Sequence, residues 1–191
     1  MPGRVFLQIA DIANEQHGFV TPEDARERDI DPMNLVRMAE RGALERRATG
    51  LYRLTLTPPG PLDAYMEAVL WPRGVRGVLA AETALDLYEL GDVNPAKIHI
   101  TVPPEHRVRR QVPEMFRIHH ERLDPDDVTV FEGIPIVTPA RAIRQAAAAH
   151  LGPALIAQAI DQGERNGRLT RRQAAELRGE LGVARGSGGR R

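Results

Sequence analysis

Cysteine is absent from the 191 residues, which excludes a disulfide framework, a thiolate nucleophile and any cysteine-ligated metal. Aromatic side chains make up 4% of the chain, so any core must be filled by aliphatic residues and alanine. Charge of one sign is also lacking: 26 basic and 26 acidic residues cancel, and no overall field draws the chain to nucleic acid or membrane. Lysine occurs once, at Lys97, so arginine here reflects overall usage rather than selection for phosphate. No apolar run approaches a membrane span. The first residues, Pro2, Gly3 and Arg4 with Asp11, Asn14 and Glu15 soon after, lack the pattern of a signal peptide. A soluble, cytoplasmic protein with no membrane partner is expected.

Catalytic patterns are missing too. There is no Gly-x-x-x-x-Gly-Lys, no Gly-x-Gly-x-x-Gly and no Gly-x-Ser-x-Gly. His119-His120-Glu121 with Asp124, Asp126 and Asp127 is the one cluster that invites a metal reading. A strand sends His119 and His120 to opposite faces, and no second ligand group stands at a suitable spacing. His99 is expected to be a sheet-face histidine bonded to backbone. No metal, no cofactor and no enzymatic activity is therefore expected.

What is present is concentrated between His17 and Leu54. Thr21 suits an N-cap, Pro22 the first helical position and Asp24 the capping-box position. Asp31-Pro32 opens a second helix with a fresh cap. In it Leu35, Met38 and Ala39 recur at inward-facing spacing, while Met33, Asn34, Arg37 and Arg41 fall outward and Gly42 ends the helix. Two short helices joined by such a turn form a helix-turn-helix, whose second helix lies in the major groove. Ala43–Arg47 and Leu51–Leu54 then read as a hairpin turning through Gly50, the wing of a winged helix. Its Arg46, Arg47 and Arg53 are candidates for phosphates or an adjacent minor groove.

Residues 1–57 carry eight arginines against nine acids, so the segment as a whole is not basic. Five of those arginines, however, lie between Arg37 and Arg53, opposed only by Glu40 and Glu45. Asn34 and Arg37 are the candidates for base edges. Arg41, Arg46, Arg47, Arg53 and the helix start at Thr21 are candidates for phosphates, and Met33 completes the set. Winged helices also serve as protein-interaction modules, and that reading stays open.

Gly18-Phe19-Val20-Thr21, Asp24-Ala25, Leu35-x-Arg37-Met38, Gly42-x-Leu44-Glu45-Arg46 and Gly50-x-Tyr52-Arg53, in this order, resemble the N-terminal winged helix of AbiEi-type antitoxins of type IV toxin–antitoxin systems. The segments ETALDLYELGDVNP, KIHITVP and GIPIVTPARAI are similar to that family's C-terminal domain. The resemblance implies binding to double-stranded operator DNA with inverted repeats, autorepression, and neutralisation of a cognate nucleotidyltransferase-like toxin. Similar segments also precede short-patch-repair-like endonuclease domains. In such chains the catalytic carboxylates and lysine come later; with the only lysine upstream at Lys97, that nuclease is expected to be absent here, a truncated relative of it being the alternative.

The rest of the chain reads as follows. Val5, Phe6, Ile9, Ile12 and Ala13 form a first helix. Thr57–Pro61, with three prolines and a glycine, marks a stiff linker over residues 58–61 between a domain at 1–57 and another at 62–185. The second domain is expected to hold helices at Leu62–Leu70 and Ala80–Leu90, the latter capped by Gly91. Strands follow at Lys97–Val102, Met115–His120, Val128–Phe131 and Ile134–Val137, with Pro135 confining the last to an edge or a bulge. Helices from Thr138 to Ala149, Pro153 to Gly163 and Thr170 to Leu181 complete it, and residues 186–191 are expected to be disordered. The fold class is α+β: a winged helix-turn-helix, then a mixed α/β domain with a small sheet and C-terminal helices. Residues 138–191 hold ten arginines against four acids, a basic third that could meet DNA or an acidic partner, or be a solvated set of helix faces.

Overall fold

The computed structural model describes residues 3–184, and its backbone clusters into two compact units. The first runs to Gly77 and takes in Glu132–Ile134; the second comprises Val78–Phe131 and the chain from Pro135 onward. The tail expected to be disordered lies outside the described residues. Among the described residues no helix is long and apolar enough to cross a membrane.

The first unit opens with α1 (Arg4–Glu15), β1 (Phe19–Val20), α2 (Pro22–Glu27) and α3 (Met33–Glu40). It continues with β2 (Leu44–Ala48), β3 (Leu51–Leu54) and α4 (Asp63–Leu70). The three strands form an antiparallel sheet in the order β1-β3-β2. Alternation gives the sheet two characters. Val20, Leu44, Tyr52 and Leu54 share a face and join Ile9, Ile12 and Ala13 of α1, Ala25 of α2 and Leu35 of α3 in one core. Phe19, Glu45 and Arg53 are register partners on the other face.

That second face corrects the expected division of the chain. Arg53 donates to the carbonyl of Pro58 at 3.0 Å and to Asp63 of α4 at 2.8 Å. Arg47 reaches Glu67 of α4 at 3.2 Å. The proline-rich residues 58–61 therefore turn the chain back within the first unit, and α4 belongs to the winged helix. The division between compact units falls after Gly77.

The second unit holds β4 (Val78–Leu79), α5 (Ala81–Leu87), β5 (Ile98–Val102), β6 (Phe116–His120), a short 3-10 turn (Pro125–Asp127), β7 (Val128–Phe131) and β8 (Ile134–Val137). Three helices follow, α6 (Pro139–Ala148), α7 (Pro153–Arg165) and α8 (Arg171–Leu181). Its sheet runs β6-β5-β4-β8-β7, with β4 antiparallel to β5, and with β4–β8 and β5–β6 parallel. The helices pack successively, α5 on α6, α6 on α7 and α7 on α8. Arg178 fastens α8 to Asp161 and Glu164 of α7, at 2.6 and 2.9 Å.

The edge alternative for Pro135 and the Gly91 cap are both replaced here, for identifiable reasons. Pro135 lies in β8, which is internal to the sheet, not at its edge. Its missing donor is tolerated because the two-residue β4 pairs with β8 only at Leu79↔Ile136. α5 ends before Gly91: Glu89 takes the left-handed turn at φ +59, while Leu90 N–H bonds to Leu85 and Glu89 N–H to Asp86. That is a Schellman closure with glutamate where glycine is usual.

His99 also departs from expectation. Its backbone N–H donates to Thr83 Oγ1 at 2.8 Å, but its ring meets a second imidazole, Nδ1 lying 3.3 Å from Nε2 of His119. Burial pushes both imidazoles below the ordinary histidine pKa; each also faces Arg117, and Glu121 and Glu82 only partly oppose this at His119. Unfolded histidines titrate near 6.5, so the unfolded state takes up protons first as pH falls, and stability is lost as pH descends through that value. Urea midpoints between about pH 7.5 and about pH 5.5 should fall in the native protein and fall less in His119→Gln. An equal fall in both would remove the imidazole pair as the cause.

Candidate nucleic-acid interface

α2 is positioned by a buried carboxylate. Asp24, 6% exposed, accepts from Thr21 N–H and Thr21 Oγ1, both at 2.7 Å, and from Gln16 Nε2 at 3.0 Å. Arg76 donates to its other oxygen at 2.7 Å. The end of α1, the start of α2 and the segment after α4 thus meet at one side chain. The expected capping box is present, but it withdraws Thr21 from the surface. The Thr21 hydroxyl serves Asp24 and the Asp24 amide, so it does not point to a phosphate.

α3 is built as the helix between core and solvent. Asp31 Oδ1 accepts from Met33 N–H at 2.9 Å, which starts it. Gly42, at φ +76, ends it, with Ala43 N–H closing on Met38. Leu35 is fully buried, and Met38 and Ala39 pack against the same core. Met33, Arg37, Glu40 and Arg41 are exposed, and Asn34 is half-buried. Positions 33, 37 and 41 repeat every four residues and share one outward stripe. Asn34 Nδ2 donates to the Asp31 carbonyl at 3.0 Å, leaving its Oδ1 and one amide hydrogen unspent.

The hairpin sorts its three arginines. Arg46 is exposed and, like Arg37 and Arg41, has no ion pair or hydrogen bond with another described residue. Arg47 bonds to Glu45 at 2.9 Å and also reaches Glu67; the Glu45 hydrogen bond foremost holds its guanidinium above the ordinary arginine pKa. Arg53 is more firmly held: 11% of its side chain is exposed, it bridges to Asp63, and its guanidinium lies 5.8 Å from the Phe19 ring centre. Arg53 therefore fastens α4 to the hairpin, and Arg47 is paired with Glu45 and Glu67. Asp63 and Glu67, four residues apart on α4, are the functional neighbours that sequence reasoning missed. Their spacing was visible, but the proline-rich segment before them argued for separation.

Of the eight expected contact residues, Met33, Asn34, Arg37 and Arg41 share the outer part of α3 and Arg46 stands on the hairpin; Thr21, Arg47 and Arg53 are engaged internally. Elsewhere, Thr101↔His119 and Val102↔His120 are the register pairs, so His119 and His120 face opposite ways. Among the described residues no group of three or more histidines and acids could hold a metal ion.

Residues 8–55, from α1 through the hairpin, match the model of a family described as transcriptional regulator, AbiEi antitoxin. The resemblance read from the N-terminal residues is thus met over that stretch. No curated protein matches the chain. Among solved structures it is similar to the RV2827C protein from Mycobacterium tuberculosis, at 17% identity and a TM-score of 0.51, with 94% of this chain and 72% of that chain covered. At that identity the likeness is one of fold.

The different standing of the arginines is measurable. Arg53→Ala and Asp63→Ala should each lower stability by about 1–2 kcal/mol in urea unfolding and show coupling in the double mutant, since a charge-assisted, half-buried bond is lost. Arg47→Ala, on an exposed pair, should cost less than about 1 kcal/mol. Additive effects of Arg53 and Asp63 would contradict the assignment.

Proposed function

We propose that this protein is a DNA-binding transcriptional regulator that represses its own promoter through α3 and the β2–β3 hairpin. The observation that carries this reading is the division of α3: Leu35 fully buried against the core, with Met33, Arg37 and Arg41 on one outward stripe and Asn34 beside it. A helix so anchored presents an apolar tip, a carboxamide and two unpaired guanidiniums, which is the chemistry that reads base edges and phosphates. Arg37 and Asn34 face base edges, Met33 offers apolar contact to a thymine methyl, and Arg41 and Arg46 neutralise phosphates. Action is by binding rather than catalysis, in the cytoplasm. The family matched at residues 8–55 supports a further role as antitoxin to a nucleotidyltransferase-like toxin, with the operator arranged as inverted repeats.

The test is affinity for a duplex carrying the DNA upstream of the protein's own coding sequence, set against a scrambled duplex. Arg37→Ala and Asn34→Ala should each remove about 1–3 kcal/mol of discrimination between the two. Arg46→Ala should weaken both alike and flatten the dependence of log K on log salt by about one. No preference for the upstream duplex, together with recovery of a protein partner, would replace this reading with a protein-interaction module.

A further inference from the structure

The hairpin has lost two of its three expected cations to α4, yet another arginine lies against its turn. Arg73 belongs to the segment after α4, far from the hairpin in sequence. At Gly50, the turn residue, a Cβ would lie 3.2 Å from Arg73 Nε, 3.6 Å from Cδ and 3.8 Å from Cζ. The side chain of Arg73 is therefore laid across the hairpin turn. Gly50 is favoured by its φ of +75, in the left-handed region, and a side chain there would press on the Arg73 guanidinium.

Arg73 is exposed and forms no ion pair or hydrogen bond with another described residue. Its surroundings are not uniformly basic. With Arg76 it lines a cavity of about 270 Å³ that also takes in Glu23, Asp24 and Glu27. Glu23 is paired with Arg26 and Asp24 with Arg76. Glu27 is then the one acid of that lining without a partner among the described residues. Arg73 and Glu27 are thus the two charged groups of this lining left unpaired, and since no bond joins them the guanidinium at the hairpin turn stays open to an outside anion. Its planar fork suits phosphate oxygens better than a point charge does.

We propose that Arg73, packed across the Thr49-Gly50 turn, is the second phosphate-binding cation of the wing. It acts with Arg46 on the sugar–phosphate backbone and takes the place of Arg47 and Arg53. The chain thus supplies part of its DNA surface from a residue outside the helix-turn-helix and hairpin. This rests on the DNA-binding reading above and adds a contact that residues 8–55 do not contain.

The experiment is the salt dependence of binding of the full chain to the same upstream duplex. Each phosphate contact should contribute about −0.9 to the slope of log K against log salt. Arg73→Ala should therefore flatten the slope by about one, so that affinity falls about three- to fourfold less than in the native protein between 50 and 200 mM salt. Arg73→Lys, which keeps the charge, should restore most of the slope, and Arg47→Ala should leave it unchanged. Native-like urea unfolding of Arg73→Ala confirms that the change is one of binding. If the native protein binds and Arg46→Ala flattens the slope but Arg73→Ala does not, this inference alone is overturned. The same holds if Arg73→Ala changes only stability, which would make Arg73 a structural partner of Glu27. If the native protein shows no salt-dependent binding, the regulator reading fails with it.

Discussion

The Asp24 carboxylate is the constraint on which the winged helix depends. It is buried, and a buried carboxylate is tolerated only when its lone pairs are met by donors. Thr21, Gln16 and Arg76 meet them, and each comes from a different part of the unit. Satisfying one side chain therefore fixes where α1 ends, where α2 begins and where the segment after α4 returns. α3 follows α2 after a turn in which Asp29 takes φ +55, so the orientation of α2 carries over to α3. What α3 shows to solvent is thus decided at a group it does not contain.

The sheet beneath applies a second selection. Its core face is apolar and serves α1, α2 and α3. On its other face Arg53 meets Phe19 and Asp63, and Arg47 from the same hairpin meets Glu45 and Glu67. Cations closest to this face are matched by acids of α4 and are internal in electrostatic terms. Cations beyond it, Arg37, Arg41 and Arg46, remain unmatched. The charge count over residues 1–57 does not register this sorting, because Asp63 and Glu67, which match Arg53 and Arg47, lie beyond that segment.

Much of this was legible from residues alone. The α1 stripe, the Thr21-Pro22 start, the Asp31-Pro32 start, the Gly42 stop and the Gly50 turn each follow from a local rule, and each is observed. Periodicity could not reveal β1 or β4, two residues long each, because alternation needs more residues to register. Nor could it say that residues 58–61 turn back instead of separating domains, since Arg53 holding the Pro58 carbonyl is a tertiary contact. Thr21, Arg47 and Arg53 were assigned to DNA on residue type and position. Burial and pairing, which decide whether a polar group is free, are properties of the folded chain. Thr138-Pro139 makes the same point: it repeats the Thr21-Pro22 start, yet Thr138 makes no side-chain cap bond.

The central claim is that the outer stripe of α3 and the hairpin form the surface that meets a duplex. Backbone amide chemical shifts of the full chain, followed as upstream duplex DNA is added, test it most directly because they locate contact without altering a residue. The account predicts that the largest changes fall at Met33–Glu40, Arg46 and the Thr49-Gly50 turn, with β5 and β6 of the second unit unaffected. Changes concentrated on β5 and β6, with α3 silent, would contradict it.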